Sequence, residues 1–315
     1  MTVTETMNAM TYSSYGGLEV LERSTVPMPK VGPGSVLIRV KAAGVNPVDW
    51  KIMSGGLDGL MDITFPVIPG WDVAGVVEAV GFDVPEFQVG DEVYSYGRRD
   101  TVHGGSSAEF VVLPVAIVAR KPRALTWTQA AGLPLVGLTA LRSLDALELK
   151  KGSTLLIHNG AGGVGRAGVQ IAVHRGVRVI ATASERNHAR LRELGAEPIA
   201  YGDGLAERLT NLVPEGVDAV ADFVGGVLDV TLAVLRDGGT HASIADRTVM
   251  QHGGHYIWVR PSAIDLDRLT AMVENGSLTV DVGSTFPMQD LAAAYEASMS
   301  GHGDGKIVVT EFSNS

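Results

Sequence analysis

The sequence predicts an α/β chain in two parts, a β-rich part and a doubly wound parallel sheet. Three observations predict it. The hydrophobic pattern changes period near Leu125. Strand and helix patterns alternate from Thr154 to Ile244. A glycine-rich turn joins the first strand of that alternation to its first helix.

The β-rich part comes first. Short apolar runs, Val36 to Val40, Val73 to Val80 and Phe110 to Leu113, are separated by turn signals such as Pro33-Gly34 and Val89-Gly90-Asp91. Past Leu125, Thr126 to Leu133 and Gly137 to Leu147 carry Ala- and Leu-rich helical spacing. Strands are then expected at Thr154 to Ile157, Val177 to Ala181, Val217 to Ala221 and His241 to Ile244. Helices are expected between them at Gly163 to His174, Arg186 to Leu194 and Val227 to Leu235. That rhythm implies right-handed crossovers and a Rossmann-like domain. The chain closes with helices over Ile264 to Glu274 and Met288 to Met299, and a strand at Gly305 to Val309.

Composition narrows the function. The 315 residues suit two domains, and 45% hydrophobic residues supply a sizeable core. A net charge of −10 argues against nucleic acid and against an anionic membrane surface as partners. The chain has no cysteine, which removes disulfides, thiolate nucleophiles and Cys-ligated zinc together. Met1 to Met10 is polar and Thr-rich, unlike a signal peptide, and no apolar run reaches the roughly 18 to 20 residues of a membrane helix. A cytoplasmic protein is the expectation.

The motif with the most chemistry is Gly160-Ala161-Gly162-Gly163-Val164-Gly165, which matches G-x-G-x-x-G between a strand and a helix. Glycine lets the backbone approach a pyrophosphate, and the helix N-terminus offers free N–H groups and partial positive charge. Binders of NAD usually carry an acid at the tip of the second strand. Here Ser184 and Arg186 stand there, suited to the 2′-phosphate of NADPH. Glu185 between them has two readings, a solvated helix residue or a ribose ligand that admits NADH.

Several blocks in order then resemble the medium-chain dehydrogenase/reductase superfamily, in its zinc-free quinone oxidoreductase (zeta-crystallin-type) branch. They are Ala42 to Lys51, Pro69 to Gly75, Val89 to Tyr94, Leu133 to Ala140, the glycine motif, Leu194 to Ala196 and Gly305 to Val308. The resemblance implies a GroES-like catalytic domain from residues 1–125 and 276–315, and a Rossmann NADPH-binding domain from 126–275. It also implies a homodimer. It implies that Ser184, Arg186 and Tyr201 hold the 2′-phosphate. Asn46 would lie near the nicotinamide, and Thr139 and Lys306 would join the glycine-turn residues Gly160, Gly162, Gly163, Val164 and Gly165 in binding the cofactor. Zinc-dependent relatives carry Cys at the Asn46 position, Gly-His-Glu where Gly70-Trp71-Asp72 stands, and a four-cysteine lobe. None of those ligands is present, so no metal is expected, and the His252-x-x-His255 pair is read as packing.

The implied reaction is hydride delivery from NADPH to an α,β-unsaturated carbonyl or a quinone, with Asn46, Tyr94 and His103 as catalytic candidates and Tyr96 as a further proton donor. Asp49 reads as a structural hydrogen-bond acceptor. Trp50, Leu57, Leu60, Met61 and Phe65 are candidates for an apolar substrate wall. Alternatives are an enoyl-thioester reductase, a tailoring reductase of secondary metabolism, and an NADPH-binding regulatory or structural protein with little turnover. Leu57 stands where the enoyl-thioester branch places a tyrosine, which counts against the first. The run Tyr256 to Val259 reads as an edge strand pairing between subunits or as an internal strand.

Overall fold

The computed structural model describes residues 6–301 and 303–312. In chain order its first strands are β1 (Thr6–Thr11), β2 (Glu22–Pro27), β3 (Ser35–Val45), β4 (Asp62–Ile63), β5 (Asp72–Val80), β6 (Glu92–Tyr96), β7 (Thr101–Val102), β8 (Phe110–Pro114) and β9 (Val118–Arg120). Helix α1 (Pro47–Met53) interrupts them, and α2 (Trp127–Gly132) and α3 (Pro134–Ala146) follow. Next come β10 (Thr154–His158), α4 (Gly163–His174), β11 (Arg178–Ala183), α5 (His188–Glu193), β12 (Glu197–Ala200) and α6 (Leu205–Leu212). After them stand β13 (Val217–Asp222), α7 (Leu228–Val234), β14 (Leu235–Ser243) and β15 (His255–Tyr256). The chain ends with α8 (Ala263–Glu274), β16 (Val282–Pro287), α9 (Leu291–Met299) and β17 (Lys306–Thr310).

Packing divides the chain into two units. One comprises Met1–Leu135, Arg260–Gly276 and Val280–Ser315; the other Val136–Val259 and Ser277–Thr279. The expected boundaries at 125/126 and 275/276 differ from this division on both sides. Helix α2 packs on β3 and β5, and α8 on β9, so both belong to the first unit. Their apolar faces are read correctly as helical, but the sheet each one covers is a long-range choice.

In the first unit a sheet of order β16-β17-β3-β5-β6-β9 has β8 paired to β3. The antiparallel hairpin β1-β2 and the pair β4-β7 complete it. The long strand β3 brings the chain's two ends together, pairing β5 on one side and β17 on the other. Strand β16 was not expected from the sequence; it runs parallel to β17 and carries a half-exposed, weakly alternating pattern.

In the second unit six parallel strands run in the order β12-β11-β10-β13-β14-β15. Chain order along that sheet is 3-2-1-4-5-6, the doubly wound arrangement that the alternating pattern predicts. Leu156, Ile180, Val217 and Val220 are buried with Leu205 and Leu209 of α6 and Val234 of α7. These strands are nearly continuous apolar runs because both faces of the sheet are covered. The Tyr256 run contributes only His255–Tyr256, at the sheet's edge. Among the described residues no helix is long and apolar enough to cross a membrane.

Candidate active site

The glycine turn lies where the strand order reverses, between β10 and β13, the place where open α/β sheets bind ligands. Strand β10 ends at His158, and Asn159 takes a left-handed φ of 58°. The Asn159 amide donates to Thr182 Oγ1 at 3.0 Å and the Gly160 amide to the Thr182 carbonyl at 2.9 Å, which tie the turn to β11. Gly162 caps α4 without a side chain. A Cβ at Gly160 would come within 2.6 Å of the Ala181 Cβ, and one at Gly165 would collide with the Asn159 carbonyl. The helix therefore presses onto the turn, and its first amides have no intrahelical acceptor. That is a cradle for an anion.

His158 and Asp222 end adjacent strands in register. Asp222 accepts from the amides of Val224 and Gly225 and from Ser243 Oγ. Burial pushes the His158 imidazole down to about 4, against the opposing pull of Asp222, so it is neutral at pH 7. Its Nε2 has no hydrogen-bond partner among the described residues.

At the neighbouring edge, β11 and β12 pair up to Ala183 and Ala200. Ser184 and Tyr201 follow that last pair directly, so the sheet brings together two residues 17 positions apart. Arg186 sits in the short turn after Ser184, exposed like Tyr201 and without an ion-pair partner among the described residues. Ser184 Oγ accepts from Asn187 Nδ2 at 3.1 Å. Sequence reasoning missed Arg208. Its guanidinium donates to the Ala200 and Asp203 carbonyls and braces this edge. A basic residue one turn into an ordinary amphipathic helix gave no signal.

In the first unit Asn46 precedes α1, and its backbone amide donates to Asp49 Oδ2 at 2.8 Å. Its side-chain amide also bonds residues outside the helix. Nδ2 donates to Asp72 Oδ2 at 2.9 Å, and Oδ1 accepts from Lys306 Nζ at 2.5 Å. Lys306 also donates to the Val45 carbonyl at 2.8 Å, and Asp72 Oδ1 accepts from the Leu135 amide at 2.9 Å. All four side chains are buried. Burial pushes the Asp49 carboxyl up to about 7 and Asp72 up to about 6. Burial lowers Lys306, and the two carboxylates pull it back up. Asp49 Oδ1 and the Tyr295 hydroxyl, both buried, have no hydrogen-bond partner among the described residues.

Asn46 has both ends of its amide committed. Tyr94 is corrected to a packing residue: it is fully buried, and its hydroxyl donates to the Leu266 carbonyl at 2.7 Å with Thr270 Oγ1 at 2.9 Å. Burial raises its pKa far above the working range, so it holds its proton. Tyr96 is likewise buried, edge-on to Trp71. His103 is exposed, with Nδ1 2.9 Å from the Thr64 carbonyl. It lines a narrow cavity with Asp49, Trp71 and Arg99. With Nδ1–H facing a carbonyl, its Nε2 carries a proton only as imidazolium. Lys306 anchors Asn46 rather than standing free. Thr139 is buried, and its hydroxyl has no partner among the described residues. In the expected substrate wall, Leu60 and Phe65 are exposed, Met61 is buried, and Trp50 donates to Ser298 Oγ.

A zinc ion does not fit this donor set. Asn46, Trp71 and Asp72 offer one carboxylate, already hydrogen-bonded twice. Among the described residues no three His, Cys, Asp or Glu are grouped to hold a metal.

Residues 32–123 match the family described as alcohol dehydrogenase GroES-like domain, and residues 194–309 match zinc-binding dehydrogenase. The chain is 36% identical over 312 residues to the NADPH-dependent alkenal/one oxidoreductase of Arabidopsis thaliana chloroplasts, covering 96% of this chain and 79% of that protein. The solved quinone oxidoreductase of Coxiella burnetii superposes with a TM-score of 0.85 at 32% identity, covering 97% of this chain and 99% of its own. A mycobacterial structure complexed with NADPH gives 0.84 at 31% identity, covering 96% and 99%.

Proposed function

The chain belongs to the medium-chain dehydrogenase/reductase superfamily, in its quinone oxidoreductase branch, and on that premise we propose that it reduces an enone or a quinone with NADPH and without zinc. The observation that carries the reading is the glycine cradle at the head of α4, with Ser184, Arg186 and Tyr201 at the neighbouring strand edge. When bound, NADPH supplies the hydride, which adds to the β-carbon of an enone or reduces a quinone, and a proton completes the product.

The residues present fit that cofactor. The amides of Gly163, Val164 and Gly165 would face the pyrophosphate, with Gly160 and Gly162 leaving room for its approach. Arg186 and Ser184 would hold the 2′-phosphate, and the Tyr201 ring and hydroxyl would cover it. The unpartnered Thr139 hydroxyl is available to a cofactor polar group. Asn46 acts as a positioning residue: locked by Asp72 and Lys306, it fixes the start of α1. With Tyr94 and Tyr96 buried, solvent or a protonated His103 delivers the proton.

The test is a titration with NADPH and NADH followed by an NADPH-oxidation assay over neutral enones and quinones. Preferred NADPH binding with enone or quinone turnover supports the reading. Better NADH binding would move the ribose ligand to Glu185. NADPH binding without turnover on any acceptor would favour the regulatory alternative, and turnover only on thioesters the enoyl-thioester one. A cytoplasmic homodimer joined along β15 belongs to the same reading, because β15 is the last strand of that sheet among the described residues. Sedimentation of the native chain and of Trp258→Asp tests it, with a shift from dimer to monomer expected.

A further inference from the structure

A second cavity lies wholly within the first unit; it shares Ile68, Arg99 and His103 with the narrow cavity described above, and the reductase reading assigns no role to its apolar floor. It is a groove of about 480 Å³, within the range of small-molecule sites. Its floor is apolar. Met7 of β1, Met28, Ile68, and Phe110 and Val112 of β8 line it. Strand β8 alternates in burial, and the half-buried Phe110 and Val112 share one face of it.

The charged residues of the lining are Lys30 and Arg99, beside His103; no Asp or Glu lines the groove. That is a local reversal in a chain whose net charge is −10. Neither Lys30 nor Arg99 has an ion-pair or hydrogen-bond partner among the described residues. The nearby acid Glu109 is occupied, accepting from the Asn8 amide and side chain. Packing around Arg99 lowers its pKa through desolvation although part of the residue stays exposed. A partly desolvated, unpaired cation beside an apolar floor is costly by itself and complements an anion with an apolar tail.

The rim also argues against a peptide strand as occupant. Pro27 and Pro29 border the groove, and neither has an N–H to offer an added strand. We propose that this groove binds a single-chain amphipathic carboxylate, of the medium-chain fatty-acid class, with its head group on Arg99 and Lys30 and its chain along Met28, Ile68 and Phe110.

Gly104 supplies the blocking variant. It lines the groove, and a Cβ there meets nothing within 4 Å, so a side chain enters open space without disturbing backbone. The experiment is calorimetric titration of the full chain with decanoate and with decan-1-ol, repeated on Lys30→Gln/Arg99→Gln and on Gly104→Phe. Circular dichroism and NADPH titration of each variant check the fold. Decanoate is expected to bind one per chain, about tenfold or more tighter than the alcohol, because the head group gains charge-assisted hydrogen bonds. The double variant should bring decanoate down to the alcohol's affinity and leave the alcohol unchanged, and Gly104→Phe should remove both. No saturable decanoate binding, or equal binding of acid and alcohol, would overturn the proposal. So would a Gly104→Phe variant that changes a dimer to a monomer, which would make the groove a subunit interface. Because the readout is binding, the outcome is independent of whether NADPH is turned over.

Discussion

At the scale of single residues, charge and burial decide the roles. Arg186 is exposed and has no ion-pair partner among the described residues, so its replacement by Ala removes little but its charge and its donors. NADPH binding should weaken by about 10- to 100-fold, the worth of charge-assisted hydrogen bonds, while NADH binding stays unchanged. Fluorescence titration of both cofactors reads this, and equal losses for both would remove Arg186 from the phosphate site. Asp49 sets a pH dependence. Its folded carboxyl is raised to about 7 from an ordinary 3.8, so between those values the folded chain holds more protons than the unfolded one. Stability contributed by this group is therefore full below about pH 4 and falls as pH rises toward 7. Asp72 acts in the same sense up to about 6. Urea melts of the wild type and Asp49→Asn across this window should show a shallower decline in the variant. Identical slopes would mean that Asp49 titrates normally. The residue types at Asn46, Ser184 and Arg186 were legible in sequence, because each stands at a fixed offset from a strand end or motif. The unpartnered state of Asp49 Oδ1 was not, since it depends on Tyr295 and other residues far along the chain.

At the scale of elements, two contacts carry most of the argument. Helix α4 presses on the turn before it, and Gly165→Ala would drive a methyl group into the Asn159 carbonyl. A loss of roughly 1–3 kcal/mol is expected from this overpacking, with weakened NADPH binding as the cradle opens. A thermal melt and a cofactor titration check it, and an unaltered variant would show that the turn has slack. Strand β6 and helix α8 meet through Tyr94. Tyr94→Phe should cost about 1 kcal/mol of stability and leave turnover intact, since among the described residues the hydroxyl bonds Leu266 and Thr270. A large drop in kcat without loss of stability would restore Tyr94 as a proton donor. Helix α8 was recognisable by its apolar spacing. The sheet it would cover was not, because an amphipathic face is complementary to any apolar surface and sequence spacing does not choose among them.

At the scale of the whole molecule, the buried cluster ties together the ends of the first unit. Lys306 and Asn46 are separated by 260 residues, yet the order β17-β3-β5 puts the ammonium beside Asn46 and within reach of the Asp72 field. Lys306→Met should destabilise the chain by about 3–5 kcal/mol, because the carboxylates lose their buried countercharge. Combining it with Asp72→Asn should recover part of that loss. Chemical denaturation of the single and double variants tests the coupling, and simple additivity would dissolve the cluster into independent contacts.

The sequence by itself determined the parallel sheet, the glycine turn and the absence of cysteine ligands for zinc. All of these are local: period, turn chemistry and residue type act over a few positions. Only the tertiary structure decided that Tyr94 packs against α8, that Lys306 anchors Asn46, that α2 and α8 join the first unit, and that Arg99 and Lys30 border one apolar groove. Those are pairings between distant segments, fixed by sheet register and by which apolar faces meet, and a buried charge takes its meaning from what surrounds it.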